Sequence, residues 1–492
     1  MKSPFFDAEA PHKKFVPNKL AIAWVLVTGF FCFLIIGAGA QNSDRDRRYT
    51  SMLQNVFDFI QKHYVEEVDP KKLYEGAMSG MLSALDDPYS QFLAEKEMSD
   101  LNQNVIKGSY GGVGLYISKQ TERDGSPAYI EIASPIEGTP GWRAGLQPRD
   151  LIIKINDENT DSLSMDDVLA RLKGPAGEDV RLLIRRGTKL EFPVTLTRAI
   201  IEVPTVKYAM IDDIGYLKLI SFSNMTAERS KEALEEFKKK NYKALVLDLR
   251  NNYGGLLNAA VDVSNLFLEG GVIVSVKSRI PGQNSVSYGG RTAIVPQNIP
   301  VVVLINHGSA SASEIVAGAL KDRGRAYLIG EKSYGKGSVQ QVYPIDKSGF
   351  KITTARYFTP SDVNIDKVGI PPDREVLSPK VSAEEIEALN QLINSQKIPR
   401  FVETNPSAPP GVSDSFARQL NAEYKLDFNL LRRLIRDEQN RTVVAPVYDL
   451  EYDVQLQEAV KILREGIYFQ LIKTTKTLRD LQQEAQAEAA AS

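Results

Sequence analysis

The stretch Asn306–Gln341, NHGSASASEIVAGALKDRGRAYLIGEKSYGKGSVQQ, holds residue types that acyl transfer needs. Small residues sit where an apolar strand, Val301–Ile305, gives way to a helical pattern. The first N–H groups of a helix have no partners within it and carry partial positive charge. They can therefore hold the oxyanion of a tetrahedral intermediate. Three serines, Ser309, Ser311 and Ser313, compete for the nucleophile's place. Ser311 has a second reading, because Ser311-Ala312-Ser313-Glu314 fits a capping box that asks for no catalysis. Lys336 lies between Gly335 and Gly337, after the apolar strand Ala326–Ile329. At the ordinary lysine pKa of about 10.4 an amine is a poor base near neutrality. Burial disfavours the charged form, and a neutral amine can take the proton of a serine hydroxyl. The alternative for Lys336 is a solvated loop lysine.

Other chemistries fit less well. Gly330–Lys336 matches the opening of a phosphate-binding loop, but the Ser or Thr that must follow the lysine is replaced by Gly337. Such a loop must also open a helix, whereas Ser338–Pro344 alternates like a strand. The three histidines, His12, His63 and His307, are scattered, and the single cysteine, Cys32, lies in an apolar run. Neither an intramolecular disulfide nor a Cys/His metal site is expected, and no cofactor is implied. With a net charge of −2 and no long basic run, nucleic acid is not an expected partner.

Strands and helices alternate over the segment that must position these residues. Ile214–Leu219, Ala244–Leu249, Val272–Val276, Val301–Ile305 and Ala326–Ile329 read as strands; Thr226–Lys240, Asn258–Leu268 and Ser311–Leu320 read as helices. This pattern predicts an α/β core over residues 201–380. Before it, residues 105–200 alternate short strands with turns around one helix, Ser164–Leu172, and predict a small β-barrel-like domain. Residues 41–104 read as helices. Residues 381–492 read as a charged helical C-terminal extension whose last stretch, QQEAQAEAAAS, has no apolar face and is expected to fray. The run from Ala21 to Ala40 carries no charge and is long enough to cross a bilayer. A transmembrane anchor over 20–40 is expected, with residues 1–19 as a cytoplasmic tail. The alternative is a signal segment cleaved after Ala40, at Ala38-Gly39-Ala40. The large downstream part is placed outside the cytoplasm, at the inner or plasma membrane facing the periplasm, or secreted if cleaved.

The ordered motifs resemble the carboxyl-terminal processing peptidases, also called tail-specific proteases. They are YVEEVDPKKLYEGAMSGMLSALDDPYSQFL from Tyr64, GSYGGVGLYI from Gly108, RAGLQPRDLIIKIND from Arg143, GYLKLISFS from Gly215 and LDLRNNYGG from Leu247. NHGSASASEI, YGKGSVQ, ARYFTPS and GIPPD follow. The likeness covers roughly residues 50–380 and implies a serine endopeptidase acting through a Ser–Lys dyad. Ser311 would be the nucleophile, Lys336 the general base and Gln340 the residue that orients the amine. Glu314 would support the site, and the oxyanion donors would be the N–H of Ala312 and one from Gly254 or Gly255. The family often has proline where this chain has Tyr253. Region 105–200 resembles a PDZ domain, with Gly111-Gly112-Val113-Gly114-Leu115 as the loop that captures a C-terminal carboxylate. Strand Leu115–Ile117 would pair with the bound peptide. The partners implied are proteins or peptides with free C-termini, the membrane through the N-terminal helix, and a second copy or an adaptor through 381–492. The rival reading is an inactive, membrane-tethered PDZ scaffold that only gathers partner C-termini.

Overall fold

The computed structural model describes residues 43–101, 109–119, 129–136, 138–187, 189–379, 382–406, 408–440 and 446–491. The expected anchor at 20–40 lies outside the described residues. Among those described, no helix is long and apolar enough to cross a membrane.

The chain divides into two compact units between Asp86 and Asp87. The first holds the helices Ser43–His63 and Pro70–Ser83. The second of these is capped by Asp69, which accepts from the Lys71 N–H, and opens on Pro70.

The second unit begins with a short strand, β1 (Gln91–Leu93), and then a β-rich domain. There β2 (Ser109–Gly112) leads into β3 (Leu115–Lys119), β4 (Ile130–Pro135), β5 (Leu151–Ile155), β6 (Glu158–Asn159), β7 (Asp179–Arg186) and β8 (Leu190–Thr197). The sheet order is β3-β4-β5-β7-β8, with β6 on β5. A separate ladder joins β2 to β9 (Ala199–Glu202). The helix Met165–Leu172 is capped by Ser164 and packs Val168 and Leu172 onto Ile130, Ile152, Ile155 and Ile184.

A six-stranded sheet forms the α/β core, in the order β10 (Val206–Ile211), β11 (Ile214–Leu219), β12 (Ala244–Asp248), β15 (Val301–Ile305), β16 (Tyr327–Gly330) and β19 (Arg374–Glu375). Only β10 runs antiparallel to its neighbour. Successive side chains of a strand face opposite ways, so the apolar runs of β12, β15 and β16 serve two layers. Leu245, Leu247, Val301, Val303 and Ile305 meet the helices Thr226–Lys239, Leu257–Ser264 and Ala312–Asp322. Val246, Val302, Leu304 and Ile329 face the opposite layer, built from Leu456, Ala459 and Val460 of the helix Val454–Arg464.

A second sheet is antiparallel. Its order is β1-β18-β13-β14, where β13 is Val272–Ser278, β14 Ser285–Tyr288 and β18 Ser348–Phe358. Strand β17 (Ser338–Ile345), which follows Lys336, pairs with β18 as a hairpin.

Beyond residue 380 the chain does two different things. Helices Ala383–Ser395, Lys397–Thr404, Pro410–Tyr424 and Phe428–Gln439 pack around a core of their own, including Leu392, Ala417, Leu420, Leu431 and Ile435. Helix Val454–Arg464 instead packs on the second face of the central sheet. The polar tail expected to fray is helical to Ala491. Its Ala, Gln and Glu residues are good helix formers, and Leu478 is buried beside the helix Ala312–Asp322.

Candidate active site

Strands β12, β15 and β16 lie side by side in parallel, with Asp248 opposite Leu304, and Ile305 opposite Gly330. Their carboxyl ends therefore meet along one edge, where open parallel sheets bind ligands. The three loops that leave this edge carry Asn251–Gly255, Asn306–Ser311 and Glu331–Lys336.

Ser311 has φ 55° and ψ −112°, a backbone that non-glycine residues rarely adopt. Such strain, about 1–3 kcal/mol, persists where the surroundings impose it and collects at functional sites. Its Oγ makes no hydrogen bond among the described residues, so the capping box of the sequence is only half formed. Glu314 takes the Ser311 N–H at 2.8 Å, but the Glu314 N–H donates to the Ser311 carbonyl rather than to the hydroxyl. The competing serines are occupied. Ser309 is buried and donates to the Leu249 carbonyl at 2.9 Å; Ser313 is buried and donates to the Asn252 carbonyl at 2.8 Å.

Ala312 heads the helix, and its N–H donates to nothing among the described residues. The two glycines beside it differ in their hydrogen bonding. The Gly254 N–H donates to Asn252 Oδ1 at 2.9 Å, whereas the Gly255 N–H has no acceptor among the described residues. Gly254, at φ 99°, lies against the Ser311 loop: a Cβ there would stand 2.8 Å from Ser311 Cβ and 3.0 Å from the Ala312 nitrogen. Only glycine permits that approach. Asn252, which the sequence reading passed over, is fully buried and holds this loop through Nδ2 to the Leu219 carbonyl at 3.0 Å. Its neighbour Asn251 exchanges hydrogen bonds with Asn306 at 2.9 Å each way, tying two of the three loops together.

Glu314 joins the second and third loops. It is fully buried, and four donors converge on it. Oε2 accepts the N–H groups of Ser311 (2.8 Å) and Lys336 (2.9 Å); Oε1 accepts the Gly335 N–H (2.7 Å) and the Ser333 hydroxyl (2.6 Å). Burial pushes its carboxyl above the usual carboxylate range, against the pull of those hydrogen bonds. The Tyr357 hydroxyl braces the same pair from the carbonyl side, donating to Lys336 O and, at 3.2 Å, lying against Ser311 O. Glu314→Ala leaves buried donors unpaired, each costing about 1–3 kcal/mol. We expect a lower melting temperature and a kcat/KM for peptide cleavage reduced by about 100-fold or more, roughly two steps of 1.4 kcal/mol. Glu314→Gln recovers little, because its NH₂ faces N–H donors.

Lys336 has its backbone fixed but its side chain loose. The amine makes no hydrogen bond to Ser311 or to any other described residue; it lies over the Tyr89 ring, 4.5 Å from the centroid. Burial, with the like charge of Lys351, pushes the amine below the ordinary lysine value, against the pull of Asp87 and Glu314. Gln340, expected to orient the amine, donates instead to Ser338 Oγ at 2.9 Å and Thr353 Oγ1 at 3.2 Å. It sits at an irregularity of the β17–β18 ladder between Val339 and Gln340.

In the β-rich domain, Gly111 and Gly112 belong to β2 and pair with Ile200 and Ala199, so the loop ahead of β3 is shorter than the glycine run implied. Val113 and Gly114 form it, and neither N–H has an acceptor among the described residues. Gly114 has φ 73° and touches Thr139, leaving no room for a side chain. From Leu115 onward β3 is, among the described residues, an edge strand paired only with β4, the kind of edge to which a further strand can add.

Comparison with known proteins agrees with this organisation. Residues 213–376 match the model for peptidase family S41, residues 131–186 a PDZ domain, and residues 36–97 the activating protease CtpB N-terminal domain. The chain is 36% identical over 365 residues to the carboxy-terminal-processing protease of Bartonella bacilliformis, covering 73% of this chain and 82% of that one. It is 39% identical over 318 residues to the carboxyl-terminal-processing protease of Synechocystis, covering 63% and 72%. A solved photosystem II D1 C-terminal processing protease is 28% identical, with a TM-score of 0.39, covering 68% of this chain and 94% of that one. With identity at this level over most of the relatives' length, the chain belongs to the S41 family of carboxy-terminal-processing proteases and is a serine-type peptidase.

Proposed function

We propose that the protein cleaves extracytoplasmic proteins near their C-termini through a Ser311–Lys336 dyad, with the PDZ domain receiving the substrate tail. One observation carries this reading: a single carboxylate oxygen of Glu314 accepts both the Ser311 and the Lys336 N–H, so the two segments are held side by side. The neutral Lys336 amine turns from Tyr89 to Ser311 and takes the hydroxyl proton as Oγ attacks the scissile carbonyl carbon. The oxyanion is met by the N–H groups of Ala312 and Gly255, neither of which has an acceptor among the described residues. The resulting ammonium gives its proton to the leaving amine, and water then releases the acyl group from Ser311. With Nε2 committed to Ser338 and Thr353, Gln340 would meet the amine through Oε1, accepting one of its N–H groups. The tail carboxylate would lie on the Val113 and Gly114 N–H groups, with the peptide adding to the edge of β3. The uncharged run at 21–40 would anchor the protein, with the catalytic part on the periplasmic side.

The test is a protein substrate with a free apolar C-terminus, read by intact mass. Cleavage should fall near that terminus, weaken when the terminus is amidated, and vanish in Ser311→Ala. Cleavage that persists in Ser311→Ala defeats the proposal. A folded wild-type chain that binds the tail but leaves every such substrate whole is the scaffold instead.

A further inference from the structure

The segment from Asp87 to Leu93 takes no part in the steps above, yet it lies against the catalytic lysine. It is firmly anchored. Strand β1 pairs with β18 through Gln91–Lys351, Phe92–Phe350 and Leu93–Gly349. The Ser90 hydroxyl accepts the Thr353 N–H at 3.0 Å and donates to Asp87 Oδ2 at 2.5 Å, and Asp87 Oδ1 accepts the Tyr89 N–H at 3.1 Å. Tyr89 is thereby held half-buried with its ring face beneath the Lys336 amine. Since the Lys336 N–H and carbonyl are bound by Glu314 and Tyr357, only its side chain is left to move.

We propose that Tyr89 is a positioning residue: its ring face receives the Lys336 ammonium and holds it off Ser311 until the amine is neutral. An aromatic face attracts a cation through its quadrupole and has no comparable hold on a neutral amine. Deprotonation, the event that makes Lys336 a base, thus also frees it to turn toward the serine. Burial, helped by Tyr334, pushes the Tyr89 hydroxyl up to about 12, so the ring stays a neutral phenol while the lysine titrates. The charged groups around the pair are Lys351 on β18, Asp87 on the same segment, Glu314 on the Ser311 helix and Asp366 beside Tyr89. Lys351 drives the amine toward neutrality, whereas Asp87 and Glu314 favour the cation; the ring adds to the second side. Asp87 is suited to that part. Burial pushes it up, but hydrogen bonds from Ser90, Thr353 and Tyr89 outweigh this and keep it below the usual range, as an anion.

The inference rests on Lys336 being the base, so the experiment reads the lysine itself. Acylation of Lys336 in the full chain by a small anhydride is followed against pH by peptide mass spectrometry, in wild type, Tyr89→Phe, Tyr89→Leu and Tyr89→Gln. Phe keeps the ring face and should keep the wild-type midpoint. Leu and Gln should lower the midpoint by about half a pH unit, the worth of a half-exposed cation–π contact. Peptide cleavage should show its acid limb displaced by the same amount in the same variants. In wild type, the Lys336 Cε protons should carry an upfield ring-current shift that fades above the midpoint; this reading needs no variant to fold. An unmoved midpoint in folded Leu and Gln variants, a midpoint lowered equally by Phe, or absence of the ring-current shift overturns the proposal. If the midpoint moves as expected in a chain that cuts nothing, the protease reading fails and the Tyr89 contact stands.

Discussion

Lys336→Ala protein should melt with the wild type and cleave a tail peptide with kcat/KM lower by about 10⁴- to 10⁶-fold, the scale seen when one member of a catalytic unit is removed. The melting temperature should hold because the amine makes no hydrogen bond among the described residues, and the main chain around it is fixed by Glu314 and Tyr357. The rate should fall because no other described group is placed to take the serine proton: Glu314 is occupied by four donors, and His307 is paired with Glu331 at 3.1 Å. What survives is the contribution of oxyanion donors and binding. The pH profile carries the same argument. In the proposed mechanism the working form is the neutral amine, so kcat/KM should be present above the Lys336 pKa and be lost as pH falls through it. Burial and Lys351 set that pKa below the ordinary lysine value. Replacing Lys351 with Gln removes a like charge, lets the Lys336 pKa climb and moves the acid limb to higher pH. A folded Lys336→Ala enzyme with full activity ends the lysine-base mechanism.

What could be read from the sequence follows from how local each signal is. Val301–Ile305 appears as a strand over the residues expected, because a strand buried on both faces is a continuous apolar run, and Ile214–Leu219 is broken only by Lys218, its one partly exposed residue. The start of the Ser311 helix is visible for a similar reason, since a Ser-x-x-Glu pattern marks a helix end. That pattern hides what Glu314 does: only the arrival of residues 333–336 shows that its carboxylate joins two loops. Asn252, Tyr357 and Tyr89 give no local signal of their own. Each acts on a residue dozens to hundreds of positions away, and one sequence carries no record of such pairs. The glycines Gly111 and Gly112 mislead in the opposite direction. A glycine run reads as loop, yet both sit in β2, where a Cβ on Gly111 would stand 2.1 Å from the Gly174 carbonyl oxygen.

The packing of residues beyond 380 has consequences for stability. A charged, amphipathic helix shows that it covers something but not what, and Val454–Arg464 covers the second face of the central sheet. Its Arg250 contact reaches the active edge as well. That guanidinium, nearly buried, takes both oxygens of Asp248 at the end of β12 and both of Asp453 ahead of the helix, two of the bonds being 2.7 and 2.6 Å. The loop Asn251–Gly255 starts at the next residue. Deleting residues 446–492 therefore uncovers Tyr216, Val246, Val302, Leu304 and Ile329 and removes Leu456, Ala459, Val460, Ile462 and Tyr468 from them. At about 1.5–3 kcal/mol for each large side chain, the loss is on the order of 10 kcal/mol. A whole domain is stable by only about 5–15 kcal/mol. The 1–445 chain should thus collect as insoluble protein without a cooperative melt, while Asp453→Asn, which keeps the helix, should stay soluble and melt a few degrees lower. Solubility and thermal melting by circular dichroism separate the two cases. A soluble 1–445 chain with the wild-type melt would show that the helix is an appendage and that the sheet is completed by other means.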